Sequence, residues 1–167
     1  LPCMLAIWFG MRMSEIRGLK KSDVTGNQLI IRRSIVTVEG EQIEKDSTKT
    51  YESTRISDIP PYIMNLIDNV ETEYLTELTR DQIYTRFVRM QRDAGIEPRI
   101  SFHDLRHLNA SVMVKLHVPD KYAMERGGWS TTSTLKSVYQ HTFSDEREAA
   151  NAKIDEYFET VVIKQDD

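Results

Sequence analysis

The chain of 167 residues contains 40% hydrophobic and 29% charged residues, a composition typical of one soluble globular domain with a normal core. Its single cysteine, Cys3, excludes an internal disulfide framework, and its four scattered histidines exclude a zinc site of the usual spacing. The net charge of −4 argues against a polyanionic partner, but residues 144–167 hold eight acidic and three basic residues, so the other 143 residues carry a net charge of +1.

The first ten residues form an apolar run that ends at Gly10. The run is too short to span a bilayer and lacks the basic start of a signal peptide, so we expect a buried helix and no membrane partner. Because it begins at Leu1 and Pro2, the chain is interpreted as part of a longer protein, and the lone cysteine favours the cytoplasm. Ser14 is a candidate N-cap for a second, short helix.

The region from about residue 28 to 60 is predicted to form the only sheet. Residues 28–38 are rich in β-branched side chains, Gly40 marks a turn, and residues 51–59 have the pattern of another strand. The two prolines that follow end this strand. We therefore expect a small antiparallel sheet.

The remaining segments have helical periodicity. The predicted helices cover residues 61–70, 79–94, about 101–116, 119–127, a stretch after Thr132, and an amphipathic stretch at about 145–162. In the second of them, Ile83, Phe87, Val88 and Met90 are expected to face the core, and Ser101 is expected to cap the third. The predicted fold class is mainly α with a small antiparallel β-sheet (α+β).

A histidine and an arginine, His103 and Arg106, stand three residues apart on one predicted helix, so they share a face. The planar guanidinium matches phosphate oxygens, and imidazole transfers protons near neutral pH. With the hydroxyl of Tyr139 as an oxygen nucleophile, the three would form a phosphoryl-transfer centre. Taken alone, the pair also fits a solvated helix face or a capped histidine, and Tyr139 fits a core aromatic residue.

Five separated motifs occur in a fixed order along the chain. They are residues 10–19 around Arg12, Lys49–Arg55, His103–Arg106, Gly127–Ser130 and Tyr139–His141. In this order and at these distances they resemble the catalytic domain of the tyrosine recombinases, or phage integrases, over nearly the whole chain. The resemblance implies that residues 1–167 form a DNA breaking-rejoining catalytic domain. It also implies a sheet at about 28–60, a helical tail at about 144–167, and N-terminal DNA-binding domains outside this chain.

The resemblance implies that four cationic residues contact DNA. Arg12 and Arg106 would hold the scissile phosphate and stabilise its transition state, and Lys49 would protonate the leaving 5′ oxygen. Arg12 could instead pair with the carboxylate three residues later, and Lys49 could be a solvated hairpin charge. Arg55 is interpreted as a strand-edge salt bridge or a phosphate contact. Glu15 is expected to hold the site or to cap its helix.

Three further residues complete the implied site. His103 would assist proton transfer at the nucleophile, and Tyr139 would attack to form a 3′-phosphotyrosyl bond. Trp129 occupies the place where most members of the family carry histidine. Its indole offers one N–H donor but no acid–base chemistry.

The implied activity is site-specific recombination, the integration or excision of a mobile element, without a metal ion, ATP or other cofactor. The implied partners are double-stranded DNA and, in the full-length protein, further copies of itself in a tetramer. Three alternatives stay open: relaxation of DNA as by a type IB topoisomerase, DNA binding without catalysis, and an unrelated helical interaction domain. The lack of a Gly-rich phosphate loop agrees with an energy-conserving phosphotyrosyl ester.

Overall fold

The computed structural model describes residues 1–46, 54–139 and 151–156. The helices are α1 (Pro2–Phe9), α2 (Met13–Gly18), α3 (Pro61–Asp68), α4 (Arg80–Asp93), α5 (Asp104–Lys115), α6 (Asp120–Gly127) and α7 (Thr132–Tyr139), and residues 151–156 are also helical. The strands are β1 (Val24–Thr25), β2 (Gln28–Ile31), β3 (Arg33–Val38), β4 (Glu41–Asp46) and β5 (Arg55–Asp58), and a 3-10 turn covers Lys21–Asp23. The predicted fold class, mainly helical with antiparallel β structure, is confirmed. Of the predicted C-terminal helix at 145–162, only residues 151–156 lie in the described part of the chain.

The link between α1 and α2 differs in one detail from the prediction. Helix α1 ends at Gly10, which adopts the left-handed conformation with φ 61°, as expected for a glycine stop. Helix α2 begins directly after Arg12, and Ser14 lies inside it, so the predicted Ser14 N-cap is wrong. Glu15 satisfies the helix start instead, because its Oε2 accepts a hydrogen bond of 2.8 Å from the backbone N–H of Arg12.

The predicted single sheet is two separate antiparallel sheets. Strand β2 lies between β1 and β5, with Leu29 opposite Ser57, whereas β3 and β4 form a hairpin with Val38 opposite Glu41. A break at Arg32 separates β2 from β3. Arg32 and Arg33 both form ion pairs there with the buried carboxylate of Asp23. The hairpin turn at Gly40 is as predicted. The predicted strand at 51–59 is observed from Arg55 onward, and residues 51–53 lie outside the described residues.

Helix α4 has the predicted ends, and its predicted inner face is wrong at one position, Met90. Ile83 and Phe87 are buried as expected, but Met90 is 56% exposed and Gln91 is buried in its place. The Gln91 amide donates to the carbonyl of Ile100 at 3.0 Å and accepts from the Ile100 N–H at 2.8 Å. A polar side chain is stable inside because it satisfies the backbone of the chain that leads to α5.

Helix α5 connects two apolar clusters. The larger cluster contains side chains from α1 to α5 and from β2, and the smaller one forms where α5, α6 and α7 meet, around Ala110, Met113, Ala123, Trp129 and Leu135. Helix α5 packs against α1 on one side and against α7 on the other. Residues on α5 are thereby held at fixed positions relative to α1 and α7. Within the described residues, no helix is long and apolar enough to cross a membrane.

Candidate active site

The start of α5 is fixed by a reciprocal pair of hydrogen bonds. The Ser101 hydroxyl accepts from the Asp104 N–H at 3.3 Å, and an Asp104 carboxylate oxygen accepts from the Ser101 N–H at 2.6 Å. The predicted hydrogen bond between Ser101 and the helix start is present, but the N-cap position belongs to His103 and not to Ser101. His103 lies between these residues at the N-cap position, and Arg106 follows in the first turn.

Arg106 is a buried cation that holds two backbone segments. Its side chain is 2% exposed, and its Nη1 donates to the carbonyls of Gly10 and Gly127. Nη2 has no hydrogen-bond partner in the described structure. Burial, followed by the nearby positive charge of Arg12, lowers the pKa of Arg106 to about 9, so the side chain is still charged at neutral pH. A buried guanidinium with one nitrogen unsatisfied is suited to bind an anion.

Trp129 packs directly on Arg106. The guanidinium carbon lies 4.4 Å from the centroid of the indole ring, within the range of a cation–π interaction, and Trp129 is 6% exposed. Gly127 permits this packing, because a Cβ atom there would lie 2.0 Å from Cζ3 of the indole. Trp129 therefore forms the surface on which Arg106 packs, and its part in catalysis stays a prediction.

Arg12 stands at the start of α2, and its side chain is 48% exposed. Its Nη1 lies 3.1 Å from Oε1 of Glu15, so the pairing that sequence analysis gave as the alternative is present. Its charge lowers the pKa of both Arg106 and His103. Arg12 therefore lies near Arg106 and His103. Its contact with a phosphate stays a prediction.

Arg55 and Glu15 form a buried ion pair beneath Arg12. Arg55 is 6% exposed, and its Nη1 and Nη2 donate to the two carboxylate oxygens of Glu15 at 3.2 and 3.0 Å. Burial would raise the pKa of Glu15, but the charge and hydrogen bonds of Arg55, together with Arg12, hold it below its ordinary value. The predicted salt bridge of Arg55 is confirmed. The predicted phosphate contact has no support in this geometry, because Nε also donates to a backbone carbonyl, that of Arg126, at 3.1 Å.

His103 is exposed beside the two arginines. Its ring meets that of His107 edge to face with 4.7 Å between the centroids, and the Nδ1 of His107 is buried with no partner in the described residues. Partial burial, His107, Arg106 and Arg12 together lower the pKa of His103. The imidazole is therefore neutral at pH 7 and able to accept a proton.

Two predicted site residues lie at or beyond the limits of what is described. Lys49 lies outside the described residues. Tyr139 is the last residue of α7, one helical turn after Leu135, which is buried in the smaller core, but its side chain is not described. The structure therefore brings Arg12, His103, Arg106 and Trp129 together, and the placement of the other two side chains stays a prediction.

Asn109 and Arg126 stabilise the end of the helix that leads to Arg12. Neither residue was predicted from the sequence. Asn109 Nδ2 donates to the carbonyls of Ile7 and Trp8 at 2.7 and 3.1 Å, and Arg126 Nη2 donates to the Trp8 carbonyl at 2.9 Å. Both side chains hold the end of α1, which leads to Arg12. Asn109 follows Arg106 by three residues, so the helix face that it shares with Arg106 was the available signal.

Arg12 lowers the pKa of both Arg106 and His103, and Arg106 packs on Trp129, so these four side chains are neighbours. Their binding of a phosphoryl group stays a prediction. The sequence model of the phage integrase family matches residues 2–146, and the chain belongs to this family. The prophage phiRv2 integrase of Mycobacterium tuberculosis is 26% identical over 156 residues, covering 83% of this chain and 41% of that protein. An integrase of Saccharopolyspora erythraea is 39% identical over 67 residues, which are 40% of this chain and 15% of that protein. The chain thus spans about two fifths of the length of the mycobacterial relative.

Solved structures of recombinases have the same fold. The Tn1549 transposon integrase in complex with a circular intermediate DNA superposes with a TM-score of 0.74 at 15% identity, covering 91% of this chain and 57% of that chain. A lambda integrase dimer bound to a COC′ core site superposes with a TM-score of 0.58 at 19% identity, covering 82% of this chain and 40% of that chain. The fold expected from the resemblance is confirmed.

Proposed function

We propose that this chain is the catalytic domain of a tyrosine recombinase that integrates or excises a mobile element by site-specific DNA recombination. One observation carries the proposal: Arg106 is buried, has no carboxylate partner among the described residues, and keeps Nη2 free. A buried cation without a direct ion-pair partner is costly, and a phosphate diester would supply that partner. Family membership supports the choice of DNA as the phosphate-bearing substrate.

The proposed reaction is a transesterification at one phosphate. Arg106 and Arg12 hold the non-bridging oxygens and offset the charge that develops on the five-coordinate phosphorus. The Tyr139 hydroxyl attacks, so that an oxygen–phosphorus bond to tyrosine forms while the bond to the 5′ oxygen breaks. His103 accepts the tyrosine proton, and Lys49 gives a proton to the departing 5′ oxygen. Reversal with a second 5′ hydroxyl rejoins the strand without an external energy source.

Trp129 takes no part in proton transfer in this scheme. An indole N–H donates a hydrogen bond but does not titrate in the accessible pH range. Its contact with Arg106 at 4.4 Å supports a role in holding the guanidinium against the phosphate. The acid–base steps therefore fall to His103 and Lys49.

Residues 1–167 would act as one part of a longer protein in the cytoplasm, with DNA-binding domains before it and a helical tail at about 144–167. The proposed partners are double-stranded DNA and further copies of the full-length protein in a tetramer. The solved complexes of the Tn1549 and lambda integrases with DNA support the first of these, and the lambda integrase dimer supports self-association.

The decisive experiment traps the covalent intermediate. A pool of duplexes with 30 randomised base pairs around a single nick is incubated with the chain, and adducts that resist denaturant are sequenced to yield a defined nicked duplex. We expect peptide mass spectrometry to map the adduct to Tyr139, and the Tyr139→Phe variant to bind DNA without forming it. Tyr122→Phe is the matched control, because Tyr122 is exposed on another helix.

Three outcomes would contradict the proposal. DNA binding with no adduct points to a non-catalytic relative, and an adduct on another residue refutes the assignment of Tyr139. Relaxation of a supercoiled plasmid, without strand exchange between two selected duplexes, points to a type IB topoisomerase activity.

A further inference from the structure

Arg55 lies on the edge strand β5 but is almost fully buried. Its three guanidinium nitrogens all donate to protein oxygens: two to the Glu15 carboxylate and one to the Arg126 carbonyl. The fork therefore joins α2 to the end of α6. A guanidinium whose three nitrogens all donate to protein oxygens is poorly placed to contact DNA.

The Glu15 carboxylate joins Arg55 to Arg12 through hydrogen bonds. Its two carboxylate oxygens accept from Arg55 at 3.2 and 3.0 Å, and they also accept from Arg12, at 2.8 Å from the backbone N–H and at 3.1 Å from Nη1. One carboxylate thus receives four hydrogen bonds from two arginines. If Arg55 were lost, only the two hydrogen bonds from Arg12 itself would orient the carboxylate.

The other side of Arg55 contacts the segment that carries Trp129. Gly128 adopts φ 64°, and a Cβ atom there would lie 2.7 Å from Nη1 of Arg55, so a glycine at this position leaves room for the guanidinium. The neighbouring carbonyl of Gly127 accepts from Arg106, and Trp129 follows. Arg55 therefore contacts the two parts of the chain that hold the two site arginines.

We propose that Arg55 is a positioning residue, which sets Arg12 at its working distance from the Arg106–Trp129 pair and does not contact DNA. This inference rests on the proposed function, because it assigns a role within the same site. Of the two sequence-based interpretations of Arg55, it keeps the salt bridge and replaces the phosphate contact.

The first measurement separates positioning from DNA contact. The Arg55→Gln and Arg55→Lys variants are compared with the unaltered chain for single-turnover cleavage of the selected nicked duplex and for DNA affinity at several salt concentrations. We expect the cleavage rate to fall by about 100-fold, since a displacement of about 1 Å in a site has this effect. Lysine should not restore the rate, because it lacks the two-pronged fork. The slope of log affinity against log salt should stay unchanged, whereas loss of a phosphate contact would reduce it by about 0.9.

The second measurement separates positioning from general stability. Arg33→Gln is the matched control, because Arg33 also pairs with a buried carboxylate, but with that of Asp23 rather than that of Glu15. We expect Arg33→Gln and Arg55→Gln to lower the melting temperature similarly but only Arg55→Gln to slow cleavage when both are assayed well below melting. Adding Arg55→Gln to Glu15→Gln should slow cleavage little beyond Glu15→Gln alone, since both act through one carboxylate.

Several results would overturn the inference while leaving the proposed function intact. These are an unaltered cleavage rate in both Arg55 variants, a salt slope lowered by about 0.9, or an equal loss of cleavage in Arg33→Gln. Additive losses in the Glu15 and Arg55 double variant would overturn it as well. Failure of the unaltered chain to form any adduct would instead refute the proposed function.

Discussion

The guanidinium of Arg106 lies on the indole face of Trp129, 4.4 Å from the ring centroid, while its Nη1 donates to the carbonyls of Gly10 and Gly127. One side chain therefore connects the end of α1, the start of α5 and the end of α6. The same side chain keeps one nitrogen unsatisfied within the described residues. A residue proposed to bind substrate is thus also part of the structural framework.

The two site arginines should differ in their effect on stability. Arg106→Ala should lower the free energy of unfolding by about 2 kcal/mol, because it leaves two buried carbonyls without a donor. Arg12→Ala should lower it by less than about 1 kcal/mol, since its ion pair is half exposed. Urea unfolding measures both, and both variants should lose the covalent DNA adduct. Equal destabilisation by the two substitutions would contradict the framework role of Arg106.

Gly127→Ala should destabilise the protein through Trp129. The added Cβ would meet the indole at 2.0 Å, and overpacking of this kind costs about 1–3 kcal/mol. In a Trp129→Ala background the same substitution should cost much less, because the atoms it meets are gone. Chemical unfolding of the four proteins in this cycle tests the prediction, and an additive result would show that the indole is not the cause.

The cleavage rate should fall as the solution is acidified through the pKa of His103. This pKa is lowered by burial and by His107, Arg106 and Arg12, so the neutral, proton-accepting form persists below the ordinary value of about 6.5. The cleavage rate should be constant from neutral pH down to about 6.5 and should decline at lower pH. The His103→Gln substitution should remove this decline. His117→Asn, at an exposed histidine with φ 54°, is the control and should keep it. A decline that persists without His103 would refute its role as the base.

Glu15 should make stability depend on pH in acid. Its pKa is lower in the folded protein than in the unfolded chain, so its contribution is complete above about pH 4.3 and is lost as the pH falls through the folded value. Glu15→Gln should therefore flatten the dependence of unfolding free energy on pH below about 4.3. Thermal unfolding at a series of pH values measures this, with Glu97→Gln as an exposed control. An unchanged slope in Glu15→Gln would contradict the ion-pair assignment.

Two neighbouring residues on α4 should respond unequally to exchange between methionine and glutamine. Gln91→Met should cost about 1–3 kcal/mol, because the N–H and carbonyl of Ile100 both lose their partner. Met90→Gln should change stability by less than about 0.5 kcal/mol, because Met90 is mostly exposed. Urea unfolding of the two single variants provides the test, and equal effects would contradict the assigned inner face.

Most helices of the described residues, though not the start of α2, were predictable because their signals are local. The glycine stop at Gly10, the hydrogen bond of Ser101 to the start of α5 and the turn at Gly40 each depend on a few adjacent residues. The grouping of His103 with Arg106 was equally local, since it follows from their spacing on one helix. The resemblance to the recombinases then connected motifs that are far apart along the chain, and family membership agrees with it.

Long-range contacts decided the rest. The interruption of the β region at Arg32 depends on Asp23, and the burial of Gln91 depends on the Ile100 backbone. A guanidinium such as that of Arg55 suits either a salt bridge or a phosphate contact. The tertiary structure places it against Glu15, forty residues away in the sequence. Periodicity and spacing specify which residues share a helix face, because those relations span a turn or two. Whether a charged side chain meets solvent or a buried carboxylate depends on which distant segment packs beside it, and that is settled only when the chain folds.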